Sequence, residues 1–265
     1  MPAQAPSAPD RVHDTRSGGA LRLDGLSWHV GGRTIVDAVT LSVPPGEFLA
    51  VIGPNGAGKT SLFNLVTGFV RPSAGRIVLD DRDVTGLPPH RRVPLGLGRT
   101  FQTSSVFATM TVRENVEIAA QAARSGRRSL LPWSRITQAA RVTAADALDR
   151  ARLTGRAEAV AGSLSHGQKR KLELAILLSV AARILLLDEP MAGMAMEEVP
   201  ELTGLIRDLH AGGATVLMVE HHMEVVLGLA ERIAVLHHGE LIACGRPAEV
   251  TADPTVREAY MGEPL

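Results

Sequence analysis

Gly53-Pro54-Asn55-Gly56-Ala57-Gly58-Lys59-Thr60 is the stretch on which the fold turns. Its spacing, G-x-x-x-x-G-K-[ST], is that of a loop built to hold phosphates. Glycines let successive backbone N–H groups curl around a triphosphate. The lysine reaches the β- and γ-phosphates, and the hydroxyl after it ligates Mg²⁺. Working outward, Phe48-Leu49-Ala50-Val51-Ile52 reads as a buried strand feeding the loop, and Thr60 to Thr67 as the helix whose N-terminus receives the anion. The chain has only three lysines, Lys59, Lys169 and Lys171, so a chance match to a motif that needs one at a fixed place is rare. Gly53 to Thr60, with Ser61 directly behind, imply binding of a nucleoside triphosphate.

At 265 residues the chain is long enough for one large α/β domain or two small ones, each with a real core. Lys+Arg and Asp+Glu are both 28, and the resulting zero net charge argues against nucleic acid as a partner, which needs a basic face. The single cysteine, Cys244, excludes an internal disulfide framework and fits a reducing compartment. Residues 1–20, rich in Pro, Ala, Ser, Gly and charge, read as a disordered tail rather than a secretory signal or an anchor. The longest apolar run, Ala175 to Ala182, stops at Arg183 and is too short to cross a bilayer. Membrane association has to come through a partner.

Leu21 to Val30 and Val39 to Val43 read as strands around the turn Gly31-Gly32-Arg33, and Arg76 to Leu79 as another, closed by the polar turn Asp80 to Asp83. From about Thr103 to Arg183 the pattern becomes mostly helical. Thr111 and Glu114 have capping-box spacing, and Ser134 to Leu153 carries apolar residues at helical intervals with an Arg-rich solvated face. From Ile184 strands and helices alternate again: strands Ile184 to Leu187, Thr215 to Val219 and Ile233 to Leu236, helices Glu197 to His210 and Glu224 to Ala230. Continuous apolar strands alternating with helices imply a parallel sheet covered on both faces, interrupted by one helical insertion.

Two further stretches carry chemistry. Ile184-Leu185-Leu186-Leu187-Asp188-Glu189-Pro190 is an apolar strand ending in two acids, at the sheet edge where open α/β folds bind ligands. Asp188 is placed to hold Mg²⁺ or its water, and Glu189 to face the attacking water as general base. Leu164-Ser165-His166-Gly167-Gln168 opens a helix reaching Leu178. Ser165 and Gln168 fit a capping box; equally, a serine hydroxyl, a glycine amide and a helix N-terminus make an anion site.

The phosphate loop, Gln102, Leu164 to Gln168, Asp188-Glu189 and His221 occur in the order found in ATP-binding-cassette ATPases, which this chain resembles over about residues 21–263. The resemblance implies a P-loop NTPase α/β fold. It has a RecA-like parallel sheet core with an antiparallel β subdomain over 21–102 and 184–265, and an inserted α-helical subdomain over about 103–183. It also implies ATP and Mg²⁺ as ligands and a site shared between two subunits. Ser165, Gly167 and Gln168 would contact the γ-phosphate held by the opposite subunit. Gln102 would contact Mg²⁺ or water and link the site to a transmembrane permease, and His221 would hold the γ-phosphate and orient Glu189.

Gly98-Arg99-Thr100-Phe101-Gln102, Met110 to Val116, Glu220-His221-His222-Met223 and Glu258 to Gly262 resemble ATPase subunits of importers for branched-chain amino acids and for urea or short amides. The partners implied are a second ATPase subunit, permease subunits and, indirectly, a solute-binding protein, at the cytoplasmic face of the membrane. Three positions depart from the family. Val30 stands where an aromatic residue stacks on adenine, which costs about 1–3 kcal/mol of stacking; Trp28, two residues earlier, fits better against the sheet edge. Ala195 replaces an Asp or Asn that bridges the subunits, and His222 an Asp. A soluble ATP switch of the same fold, and an inactive partner subunit, are the competing readings.

Overall fold

The computed structural model describes residues 18–100, 106–125 and 136–259. Strand β1 (Leu21–Val30) pairs antiparallel with β2 (Arg33–Val43) across Gly31-Gly32. After β3 (Phe48–Ile52) and helix α1 (Lys59–Thr67), β4 (Ala74–Leu79) pairs with the other side of β1 and turns into β5 (Arg82–Asp83). These strands form one antiparallel sheet in the order β2-β1-β4-β5. Helix α2 (Pro89–Arg92) and strand β6 (Leu97–Arg99) follow, then helices α3 (Val112–Ser125), α4 (Gln138–Arg150) and α5 (His166–Ser179). The chain continues through β7 (Ile184–Asp188), α6 (Val199–Ala211), β8 (Thr215–Val219), α7 (Met223–Leu229), β9 (Arg232–His237), β10 (Glu240–Gly245), α8 (Pro247–Ala252) and α9 (Pro254–Ala259). The second sheet runs β10-β9-β3-β8-β7-β6, parallel except at β10.

The uninterrupted apolar runs of the central strands have a direct cause. Successive side chains of a strand point to opposite faces, and here both faces are covered. Phe48, Ala50 and Ile52 of β3 join Leu185, Leu187, Val216 and Met218 in a core under α5, α6 and the helical segment. Leu49 and Val51 join Ile184, Leu186, Leu217 and Val219 in a second core, closed by α1 and by Leu21, Leu23, Val36 and Ile77 of the antiparallel sheet.

Arg92 fixes α1 from behind. It is 1% exposed, and its guanidinium donates to the carbonyls of Leu65, Val66, Thr85 and Leu87. Two of these, Leu65 and Val66, lie in the last turn of α1, where a cation complements the helix dipole. Burial pulls the guanidinium down to about 10, partly countered by Asp83, and this leaves it charged at neutral pH. Arg92→Ala should therefore cost about 3 kcal/mol, because four carbonyls lose a charged hydrogen bond, although that of Leu65 keeps its bond from Gly68 N. Urea unfolding checks this; a loss below about 0.5 kcal/mol would be that of an ordinary surface position.

Several expectations shift. Gly18, Gly19 and Ala20, read as the end of a disordered tail, are packed instead: Thr215 Oγ1 donates to the Gly19 carbonyl at 2.7 Å and Ala20 N to Asp80 Oδ1 at 2.7 Å. The small residues let the backbone thread where a Cβ on Gly18 would stand 2.5 Å from Gly46 N. Residues 1–17 lie outside the described residues. The helix expected over Ser134 to Leu153 is α4, capped by Thr137, whose Oγ1 accepts from Ala140 N at 3.2 Å; Ser134 is outside the described residues. The first of the later helices begins at Val199 with Pro200 in its first turn. Asp80 and Asp81 make the expected turn at positive φ, but Arg82–Asp83 extend into a strand.

Candidate active site

Gly53 to Thr60 link the C-terminal end of β3 to the start of α1. At Gly53, φ 153°, a Cβ would lie 2.1 Å from the Leu236 carbonyl oxygen, and at Gly58, φ 100°, 2.8 Å from that of Ile35. Only glycine allows the loop to pass so close to β9 and β2. The turn closes through Ala57 N to the Pro54 carbonyl at 3.1 Å and Leu62 N to the Gly58 carbonyl at 2.8 Å. Lys59, 6% exposed, donates its Nζ to the carbonyls of Gly53 at 2.6 Å and Pro54 at 3.0 Å. No side chain caps α1 and no acid lies in its first turn. Its orphan N–H groups and positive dipole end face the loop with no acid of the helix's own first turn to match them. Gly56, Asn55 and Thr60 are exposed on the same turn, with Pro54 and Ser61 half-buried.

Asp188 ends β7 with Glu189 directly after it, and the register pairs Asp188 with Val219 of β8, which in turn pairs with Val51 of β3. The acids, the phosphate loop and the turn after β8 thus share one sheet edge. Asp188 is 1% exposed; its Oδ2 accepts from Arg99 Nη2 at 2.8 Å. Arg99 Nη1 also donates to Asn64 Oδ1 of α1 at 2.7 Å, so one guanidinium ties Asp188 to the helix behind the loop.

Glu189 has φ 48°, a left-handed conformation that costs a residue with a Cβ about 1–2 kcal/mol. Its N–H donates to the Val219 carbonyl at 2.9 Å, and its Oε1 lies 2.9 Å from His221 Nε2. Strain of this kind persists only where neighbours over-determine it. Here the neighbour is Glu220, 2% exposed: Oε1 accepts from Met191 N at 2.8 Å, and Oε2 from His221 N at 2.8 Å and His222 N at 3.3 Å, with His222 Nδ1 at 2.9 Å.

Ser165, Gly167 and Gln168 gather at the tip of α5, with both halves of the capping box in place: Ser165 Oγ accepts from Gln168 N and Gln168 Oε1 from Ser165 N, each at 3.2 Å. The same tip holds an anion. Glu198 Oε1 accepts from Ser165 Oγ at 2.7 Å and Oε2 from Gly167 N at 3.3 Å. The Ser165 hydroxyl holds the Glu198 carboxyl below the usual carboxylate range, against the opposing effect of burial and with the Gly167 amide adding a lesser share. Capping and anion binding, alternatives in the sequence, are both built from these donors.

Val30 is 48% exposed at the hairpin tip, whereas Trp28 packs partly buried against the second core. Gln102 lies outside the described residues. Arg99, Glu198 and Glu220 were given no role by the sequence. Among the described residues no cluster of three or more His, Cys, Asp or Glu could hold a metal unaided. Mg²⁺ takes one or two protein oxygens together with phosphates and water, and the Thr60 hydroxyl and the Asp188 carboxylate are oxygens of that kind.

Residues 36–192 match the family described as ABC transporter, and residues 240–264 the one described as branched-chain amino acid ATP-binding cassette transporter. The high-affinity branched-chain amino acid transport ATP-binding protein BraF of Pseudomonas aeruginosa is 38% identical, covering 92% of this chain and 98% of its own. The lipopolysaccharide export system ATP-binding protein LptB of Acidithiobacillus ferridurans is also 38% identical, over 87% of this chain and 92% of its own. Among solved structures, the ADP conformation of MJ1267, an ATP-binding cassette of an ABC transporter, superposes with a TM-score of 0.83 at 32% identity, covering 92% of this chain and 99% of that one.

Proposed function

Because this chain belongs to the ABC transporter family and is an ABC-type ATPase, we propose that it energises an importer of branched-chain amino acids or of urea and short amides. Two such subunits, identical or paralogous, would close on ATP and drive a pair of transmembrane permeases fed by a solute-binding protein. No helix among the described residues is long and apolar enough to cross a membrane. The chain would then be held peripherally at the cytoplasmic face by those permeases. Overall identity does not choose a solute, since an export ATPase and an import ATPase are equally similar. The match at residues 240–264 favours the branched-chain amino acid group. Matches to transport proteins likewise favour this reading over a soluble ATP switch.

The hydrolytic reading is carried by the 2.9 Å contact between Glu189 and His221 at the sheet edge that also bears the glycine cradle. In this reading the loop from Gly53 to Thr60, with Ser61, binds the phosphates, every residue but Pro54 offering a backbone N–H, and Lys59 turns from its own loop carbonyls to the β- and γ-phosphates. Thr60, Gln102 and Asp188 are the residues that would hold Mg²⁺, which would supply neutralisation of charge on the phosphate oxygens. Glu189 takes the proton of the attacking water, and His221 steadies that carboxylate and the γ-phosphate. Val30 lies along the adenine. Ser165, Gly167 and Gln168 complete the site of the opposite subunit.

Lys59→Ala should weaken ATP binding by roughly ten- to a hundredfold, the worth of about 1.5–3 kcal/mol for a charged hydrogen bond. Calorimetric titration measures it, and an unchanged affinity would mean that this loop is not the phosphate site. The transport reading is tested by reconstituting the chain with its permease pair and binding protein in vesicles. ATP turnover should rise with leucine, isoleucine or valine. Turnover indifferent to those and to urea and acetamide would remove the solute assignment.

A further inference from the structure

We propose that Glu220 is a positioning residue for ATP hydrolysis, a clamp that holds the Glu189 turn and the His221 turn in one geometry. β7 and β8 are hydrogen-bonded neighbours up to Asp188 and Val219, after which both chains leave the sheet. Past that point Glu189 enters a left-handed conformation at φ 48°, its N–H donating to the Val219 carbonyl at 2.9 Å and its carbonyl accepting from Ala192 N at 3.1 Å. The carboxylate of Glu220 bridges the gap. One oxygen takes the amide of Met191, two residues beyond Glu189, at 2.8 Å; the other takes the amides of His221 and His222 at 2.8 and 3.3 Å. The acid is 2% exposed, so water does not substitute for it.

The chemistry requires an acid at this position. Both oxygens must accept, since every group that faces them is a backbone N–H or the Nδ1 of His222. A glutamine would turn an N–H₂ toward at least one set of donors. An aspartate keeps two acceptors but is one methylene short of spanning both turns. Either change frees one turn relative to the other, and the contact between Glu189 Oε1 and His221 Nε2 at 2.9 Å depends on both. A displacement of about 1 Å at such a contact costs on the order of a hundredfold in rate. The phosphate loop takes none of its bonds from Glu220, so nucleotide affinity is left alone.

This inference rests on Glu189 and His221 acting in hydrolysis, and one assay separates the two. Wild type, Glu220→Gln and Glu220→Asp are compared in full-length protein for kcat, for MgATP affinity by titration and for thermal unfolding. The expected result is a kcat lower by roughly ten- to a hundredfold for Gln and by less for Asp, with MgATP affinity within about twofold of wild type in both. The His221 ring signals in a nitrogen-15 NMR spectrum should move in both variants toward those of a solvated histidine. Turnover of both variants near that of wild type would overturn the role of Glu220. So would a loss of MgATP affinity in step with kcat, or a failure of both variants to fold, either of which assigns Glu220 to stability alone. A wild type that does not turn over ATP would instead sink the reading of Glu189 and His221 from which the inference starts.

Discussion

Glu189→Gln should leave ATP binding intact and lower turnover by about a hundred- to ten-thousandfold, the contribution of a positioned general base. The local geometry makes this substitution a clean test. Glu189 is held by its backbone, through the Val219 carbonyl and a left-handed φ, so the side chain emerges in the same direction whatever its terminal group. Gln has the same length and can still meet His221, but it cannot take a proton from water. Nucleotide titration and single-turnover hydrolysis separate binding from chemistry, and sedimentation with MgATP should catch a stable dimer that wild type forms only transiently. A variant that hydrolyses ATP near the wild-type rate would remove Glu189 from the role of base.

The parts of this molecule that could be read from its sequence are those where local pattern and tertiary environment agree. Phe48 to Ile52 and Thr215 to Val219 have the same limits in the structure as in the sequence, because strands covered on both faces are apolar at every position. β10 escaped notice because it is a half-exposed antiparallel edge, Glu240–Gly245, with no such run. β6 escaped because Leu97-Gly98-Arg99 is three residues long and owes its pairing to β7. The candidate site divides in the same way. Glu189 and His221 stand in recognisable strings, each at the end of an apolar strand. Arg99, Glu198 and Glu220 act through partners 89, 33 and 29 residues away, contacts that no local spacing encodes.

Ser165→Arg should abolish ATP-driven dimerisation while leaving ATP binding by the isolated chain nearly unchanged. Ser165 and Gly167 are bonded to Gln168 and Glu198 rather than to the phosphate loop of their own chain. They already grip a carboxylate, so the tip of α5 is fit for an anion, and in the proposed dimer that anion is the partner's γ-phosphate. Glu198 has to leave before a phosphate can take its place. Glu198→Ala should accordingly still allow dimerisation, whereas an arginine at 165 fills the surface that must close. If Ser165 serves only as a helix cap, the outcome differs. Loss of the capping hydroxyl then costs about 1 kcal/mol of stability and leaves activity per folded molecule intact. ATPase rate measured against protein concentration, with a melting curve for each variant, distinguishes the two. In the shared-site dimer, wild-type specific activity rises with concentration and the Ser165→Arg line stays flat near zero. A less stable variant with normal turnover and no concentration dependence would leave Ser165 as a cap and each chain as a complete enzyme.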